Sequence, residues 1–331
     1  MLSCLLKAYV DYGERLSMKF PLFDIRLVRW LLAFCFTTHL AACSSRLSPA
    51  SDNETAVTAS TEFQLPALVA ETSGLVCLPD GNFLTINDSG NAATVFKLNS
   101  RGEVVQQFPL DATNRDWEAM TVHQQQLWIA DIGNNSGGRR GGDLYQTSLA
   151  LQADQKNTTI KTSFTYPEMS LPPLQSYLHD FDAEAIVSAN DKLLMFNKAW
   201  QSQHSTVYQL ISTATGTKAL RLAHIDGLPG VITGAAFSEP QQVFILTGYA
   251  RFRENMLNMA LYDDYRPFLA VLDSQFQLQK IEPLVQGGQV EAICIDQRQQ
   301  IWLTQEKSKR RPALLWRFGS VEQLIPKILT N

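Results

Sequence analysis

The sequence predicts an all-β fold, a β-propeller of four-stranded antiparallel blades. Three observations carry this expectation. From about residue 62 the chain shows short apolar runs separated by turn residues, with almost no helical periodicity. One strand-opening pattern recurs five times along that stretch. The openings, taken at Ser73, Glu118, Glu184, Thr233 and Glu291, lie 45, 66, 49 and 58 residues apart, close to the ~40–50-residue period of propeller blades. A four-stranded sheet with two apolar faces is unstable alone. Radial stacking buries both faces and leaves only short, protected edges. Five blades are expected, with a sixth possible if the 66-residue interval hides a divergent one. A β-sandwich or barrel is the rival, but neither usually repeats one strand opening five times.

Each unit reads as a set of strands. The first strands are TSGLV, WEAMT, AEAIV, ITGAA and VEAIC, starting at residues 72, 117, 183, 232 and 290. After a short turn come NFLTIN, QLWIAD, KLLMFN, QVFILT and QIWLTQ. Third strands are TVFKL, DLYQT, TVYQL, PFLAVL and ALLWRF. The strand-like TEFQL at 61–65 is placed to complete the last sheet and close the ring. Trp117, Trp128, Trp302 and Trp316 fall within strands and read as inter-blade core. Three segments look irregular: a flexible Gly/Arg loop at 133–142, a Pro-containing connection at 168–181 and an insertion at 249–265 with a helical stretch at 253–261. Loops of this kind are where rigid scaffolds carry function.

The first sixty residues differ from the rest. Lys19, Arg26 and Arg29 precede an apolar run, Trp30–Phe36, and then Leu40-Ala41-Ala42-Cys43. This is the layout of a secretory signal, with Met18 a natural start. The apolar run is well short of the ~20 residues a spanning helix needs. The small residues before Cys43 resemble the bacterial lipobox, which implies lipidation of Cys43 after removal of residues 1–42. Residues 43–61 are rich in Ser, Thr, Ala and Asn and read as a flexible tether. Residues 62–331 form one body. Ser44 stands where an inner-membrane retention signal has Asp, so the resemblance implies the outer membrane, facing the periplasm. The full chain carries 28 Lys and Arg against 32 Asp and Glu, a net charge of −4; beyond residue 42 the balance is 23 against 29. That argues against a nucleic-acid partner. The expected partners are the membrane, through the lipid, and a small molecule or protein of the envelope; the protein is expected to be a monomer. Cys77 and Cys294 can pair in an oxidising compartment, but both sit inside apolar strand-like runs. Buried free thiols are therefore the expectation.

Propeller chemistry gathers where the innermost strands meet the central channel. Glu118, Glu184 and Glu291 hold the same place in their repeats, and Ser73 and Thr233 hold it in the other two. Asp116 and Asp182 lie two residues earlier, on the same strand face as their glutamates. Crowded carboxylates raise one another's pKa unless something compensates. Three compensations stay open: backbone N–H groups of neighbouring blades, a hard cation such as Ca²⁺, or one acid kept protonated as a general acid. For the cation, Glu118, Glu184 and Asp182 are the candidate ligands. Asp88 and Asp131 follow the second strands of the first two units, with Asn134 just beyond, and Asn197-Lys198 fall at the same place in the third. This ring suits a polar, hydroxyl-rich or phosphate-bearing ligand, and Arg139 and Arg140 nearby can bind an anion or simply be solvated. His179, beside Asp180 and Asp182, is the best histidine for acid–base work. No G-x-S-x-G, Walker A or G-x-G-x-x-G motif is present.

The strings TSGLVCLPDGNFLTINDSG, RDWEAMTV with IADIGNN, HDFDAEAIV and VITGAAFS, spanning about Glu71 to Phe237, resemble a group of bacterial secreted propellers. Its typical forms are SGL…NDSGG, DWEDI, GDIGDN, HDAEAL and VTGAA. The group is similar in style to the SdiA-regulated periplasmic propellers and, more distantly, to the esterase-like phytase propellers. The resemblance implies a polar channel mouth at Asp88, Asp116, Glu118, Asp131, His179, Asp182 and Glu184. The chain departs from it at Asn134 and Asn135, where an Asp is usual, and at Ala119 and Met120. Two functions follow as expectations. One is an envelope-anchored lipoprotein that binds a polar ligand or protein at a carboxylate-lined channel mouth, Asp88, Asp116, Asp131, Asn134, Asp182 and Glu291 among its contacts. The other is a Ca²⁺-dependent ester or phosphoester hydrolase, with Glu118 and Glu184 as metal or base residues and His179 as the acid.

Overall fold

The computed structural model describes residues 61–326, apart from 154, 170–173, 203, 215, 251–264 and 286. The signal segment, Cys43, the tether and the helical stretch at 253–261 lie outside the described residues. The body is a five-bladed propeller. Blade I is β2 (Thr72–Cys77), β3 (Phe83–Asn87), β4 (Thr94–Leu98) and β5 (Val104–Pro109), hydrogen-bonded in that order. Blade II is β6 (Trp117–His123), β7 (Gln126–Asp131), β8 (Gly141–Ser148) and β9 (Ile160–Thr165). Blade III is β10 (Ala183–Ala189), β11 (Lys192–Asn197), β12 (Ser205–Thr213) and β13 (Gly216–Ile225). Blade IV is β14 (Gly230–Ser238), β15 (Val243–Ala250), β16 (Arg266–Leu272) and β17 (Leu278–Pro283). In blade V, β18 (Val290–Ile295), β19 (Gln300–Gln305) and β20 (Leu314–Ser320) are completed by β1 (Thr61–Gln64). The 66-residue interval holds β9 and a connection rather than a sixth blade. β1 begins one residue inside the stretch read as tether.

The first strand of each blade is the innermost. β2, β6, β10, β14 and β18 neighbour one another in that order, and β18 returns to β2. Burial follows from this. β3 is buried at every residue, whereas the outer strand β9 keeps one buried side chain. Alternation along a central strand sends successive side chains to opposite faces. Leu127 and Ile129 of β7 pack toward blade I with Val76 and Ile86. Trp128 and Ala130 pack toward blade III with Ile186 and Met195. Every pair of neighbouring blades has its own apolar cluster of this kind. Trp117, Trp128 and Trp316 are buried in these clusters and Trp302 packs against one.

Two devices close the ring. β1 pairs antiparallel with β20, Phe63 opposite Leu315, so the start of the body completes its last sheet. The second device corrects the expectation of free thiols. Cys77 and Cys294 form a disulfide, with Cα atoms 5.6 Å apart, inside the range that a bridge requires. The two residues are 217 apart in sequence, but ring closure makes β2 and β18 neighbours. Apolar flanks reveal burial; only closure reveals proximity.

The 133–142 segment is also not the loose loop that its composition suggests. Asn134 Nδ2 donates to the carbonyls of Arg139 (3.0 Å) and Phe181 (2.8 Å), and Arg139 N–H donates to Asn134 Oδ1 at 2.8 Å. At the chain's far end a four-residue helix, α1 (Val321–Leu324), has a capping box built by Ser320 and Gln323.

The disulfide ties the first blade to the last, so its loss frees the longest closed loop of the body. Cys294→Ser is expected to cost about 2–5 kcal/mol of stability, measured as a lower denaturation midpoint. Reductant should shift the unaltered protein by the same amount and leave the variant unmoved.

Candidate functional site

The axial site is built by a repeated backbone irregularity. In each blade the ladder between first and second strands skips one or two residues. Trp117 pairs with Asp131 and Ala119 with Ala130, leaving Glu118 unpaired. Glu184, Thr233 and Glu291 are skipped in the same way, as are Ser73 and Gly74. Such bulges re-aim side chains and recur beside functional sites. The bulge residues are therefore the very positions that the repeat had aligned. The second-strand residues opposite are also equivalent, and the next residues along are Asp88, Ile132, Lys198, Tyr249 and Glu306.

These two sets converge. Ser73, Glu118, Glu184 and Glu291 from the bulges, and Asp88, Lys198, Tyr249 and Glu306 from the strand ends, line one cavity of about 230 Å³. Tyr177, Trp200 and Tyr265 add aromatic walls, with Asn135 and Gln289 beside them. Ser73 Oγ donates to the Glu118 carbonyl at 2.7 Å, and Thr233 Oγ1 donates to the Val290 carbonyl at 2.6 Å. These hydroxyls tie neighbouring inner strands together, and Thr233 does not line the cavity.

Lys198 is the cation of this group. Its Nζ forms a buried ion pair with Glu184 and lies 4.9 Å from the Trp200 ring centroid and 5.3 Å from that of Tyr249. Burial alone would lower the ammonium, but the surrounding acids, Glu184 foremost, hold it well above the ordinary lysine value. The carboxyls move the other way. Burial, reinforced by Asp88, Glu184 and Asp116, pushes Glu118 well above the usual range. Burial likewise pushes Glu184 well up, with Glu291 adding and Lys198 opposing. Glu291 is pushed up to about 8 by burial. Glu306 is also raised to about 8, by burial and then by Asp88. Asp116 reaches about 6 through burial and the charges of Asp88 and Asp182. Glu184 Oε2 and Glu291 Oε1 are buried without a hydrogen-bond partner.

Several residues singled out in the sequence occupy other places. Asp131 is buried away from the cavity lining, its Oδ1 accepting from Arg139 Nη1 at 2.6 Å and its Oδ2 from the Arg115 N–H at 2.9 Å. Arg139 is thereby committed to the fold and supplies no free guanidinium for an anion. Asp182 is a clamp: Oδ2 accepts from Trp200 Nε1 at 2.6 Å, and Oδ1 from the backbone N–H groups of Asn134 and Ala183. It orients Trp200 and does not line the cavity. Asn134 holds the loop described above, while its neighbour Asn135 reaches the lining. His179 is buried, its Nδ1 accepting from the Phe181 N–H at 3.1 Å and its carbonyl from the Trp200 N–H at 3.2 Å. It supports the wall without lining the cavity. Among the described residues, the acids grouped closely enough to share one ion are not Glu118, Glu184 and Asp182 but Asp88, Asp116 and Glu118, whose oxygens lie within 4.8 Å of one another.

Glu306 and Tyr249 went unrecognised in the sequence. For Glu306 the signal was available, since it directly follows the second strand of its unit as Asp88 and Lys198 do; Tyr249 lies within β15, one place beyond the position that the sequence repeat marks. Trp200, Tyr265 and Gln289 sit in connections whose path no repeat position dictates.

No family model matches the chain, and no curated protein matches it. Among solved structures it is similar to virginiamycin B lyase from Staphylococcus aureus, at 13% identity and a TM-score of 0.38, over 79% of this chain and 70% of that one. It is similar to a streptogramin B lyase structure at 11% identity and a TM-score of 0.39, over 77% of this chain and 96% of that one. Similarity to the hydrazine synthase of Kuenenia stuttgartiensis has 10% identity and a TM-score of 0.39, over 73% of this chain and 57% of that one. At these values none of the three bears on the residues of the axial cavity.

The raised carboxyls link stability to pH. Glu306 binds its proton more tightly in the folded than in the unfolded chain, so its contribution is complete below about pH 4.5 and is lost as pH rises through about 8. Glu306→Gln keeps the neutral form at every pH. In chelator, the variant should match the unaltered protein at about pH 4.5 and exceed it by about 4 kcal/mol at about pH 8, measured by urea denaturation. A constant difference across that range would contradict the assignment.

Proposed function

We propose that the chain is an envelope-anchored binding protein that captures a small polar ligand in the axial cavity. The observation that carries this reading is the convergence of two repeat positions, contributed between them by all five blades, on one acid-rich space. A cavity of about 230 Å³ lies at or below the lower end of small-molecule sites, which run from about 300 Å³ upward. It admits a small molecule, or one side chain of a protein partner, but not a folded surface. Asp88, Glu118, Glu184, Glu291 and Glu306 face one lysine, already paired with Glu184. That balance favours a donor-rich ligand, an amine or a polyol, over a phosphate. The aromatic walls suit stacking against the ligand's apolar face. The anchor rests on the leader pattern and Cys43. Membership of the secreted propeller group rests on the NDSG, DWE, DIGNN and HDFDAEA strings.

A second reading, hydrolysis of an ester or phosphoester with a bound cation, is favoured by one observation, the close approach of Asp88, Asp116 and Glu118. In that reading Glu118 holds the cation and Glu184 orients water. His179, outside the lining, leaves the proton donor to the cavity's own raised carboxyls. Release of nitrophenol from nitrophenyl acetate or phosphate, dependent on Ca²⁺ and lost in Glu118→Gln, would favour it over simple binding.

Two experiments test the main proposal. A melting screen of the purified chain against neutral sugars, polyols and primary amines should find at least one compound that raises the melting temperature. Its affinity should fall at least about tenfold, or about 1.4 kcal/mol, in Glu291→Gln. A screen in which no member shifts the melt contradicts the reading. For the anchor, Cys43→Ser should abolish labelling by a radioactive or clickable fatty acid in cells. Labelling that persists refutes lipidation at Cys43.

A further inference from the structure

We propose that Asp88, Asp116 and Glu118 form a site for a calcium-type divalent cation in the wall of the axial cavity. The ligands come from adjacent blades. Asp88 directly follows β3, and Asp116 and Glu118 flank Trp117 at the start of β6. Their carboxylate oxygens lie within 4.8 Å of one another, although Glu118 is only 7% exposed. Among the described residues, neither the Asp116 nor the Glu118 carboxylate takes part in a hydrogen bond or ion pair. The two cationic side chains whose fields reach them are committed elsewhere, Lys198 to Glu184 and Arg139 to Asp131.

The backbone is shaped to allow this approach. A Cβ at position 133 would stand 2.2 Å from Glu118 Oε1 and 2.4 Å from Asp116 Oδ2. Only glycine leaves room for both carboxylates at that point. Like charges held this close repel, and the cations whose fields reach them, Lys198 and Arg139, are ion-paired to other acids. An independent observation points the same way. Glu184 Oε2 and Glu291 Oε1 are buried and without a partner, on residues 7% and 6% exposed that line the same cavity as Asp88 and Glu118. Buried acceptors of this kind need donors, which the water shell of a bound cation supplies.

The donor set selects the ion class. It is all oxygen, with no cysteine or histidine, which suits hard cations. Magnesium demands a near-ideal octahedron at about 2.0–2.1 Å, whereas calcium accepts irregular oxygen shells at about 2.3–2.6 Å, so three carboxylates contributed by two blades suit calcium better. Three carboxylates fill part of a shell of about six to eight. The remaining positions face the cavity, where vicinal hydroxyls or a carboxylate of a ligand would complete the shell. That last step rests on the small-ligand reading; the cation site itself does not.

The test uses the full chain in detergent, stripped with EDTA and then freed of it, at about pH 8, because carboxyl ligands bind metal only when deprotonated. Titration calorimetry with CaCl₂ should give saturable binding, tighter than with MgCl₂. Asp116→Asn and Glu118→Gln should each weaken it at least about tenfold, or about 1.4 kcal/mol, and Asp111→Asn, outside the site, should bind as the unaltered chain does. Should Glu118→Gln fail to fold by circular dichroism, Asp88→Asn on its half-exposed loop carries the same test. No saturable calcium binding, or binding unchanged in the site variants, overturns the proposal. The ligand screen reports separately: calcium binding with no ligand shift leaves the site standing and removes the small-ligand reading, while a ligand shift without calcium binding does the reverse.

Discussion

Every blade is a sheet with two apolar faces, and neither face can be left in water. That requirement governs the molecule. Leu127 and Trp128 are adjacent in sequence yet belong to different inter-blade clusters, so blade II is satisfied only when both neighbours are in place. The same holds for each blade in turn, and the condition is met everywhere only if the row of sheets returns on itself. β1 beside β20 and the bridge from Cys77 to Cys294 are the two points at which the return is fastened.

Closure brings five inner strands to one axis, where space is short. Each inner strand carries a bulge at this place, and each bulge turns one side chain out of the ladder. Polar residues there bind the neighbouring strand, as Thr233 does, enter the cavity, as the three glutamates do, or do both, as Ser73 does. Acids gathered this way would ordinarily drive one another apart. Burial shifts the balance toward the protonated form, Lys198 neutralises one acid, and the Arg139–Asp131 pair fixes the loop that forms one wall. The wall is thus rigid for electrostatic reasons as much as for packing reasons.

The fold was largely legible in the sequence because propeller periodicity is local. Each opening, turn and second strand repeats within a short window, and the repeat alone aligned Glu118, Glu184 and Glu291. Less legible was whatever depends on residues distant in sequence. The disulfide needed knowledge that β18 lies beside β2. Asp182 looked like a channel acid because its spacing matches that of Asp116, and Asp131 because it closes its unit's second strand near the place of Asp88. Their partners, Arg139 and Trp200, come from loops whose paths are set by tertiary contacts. Glu306 was within reach of the same repeat argument that flagged Asp88, once the comparison is carried into the fifth unit. His179 shows the limit of composition: a histidine next to aspartates reads as chemistry, but here its ring accepts a backbone N–H and braces a wall.

The order of the chain also sets an order of events. β1 is made first among the described strands, yet its pairing partner β20 is made last. During synthesis β1 has no ladder to join, and Cys77 has no native thiol partner until residue 294 has emerged. A chain stopped short of β18 lacks the native partner of Cys77, so the bridge can form only once the last blade has been made and cannot guide the folding of the blades before it.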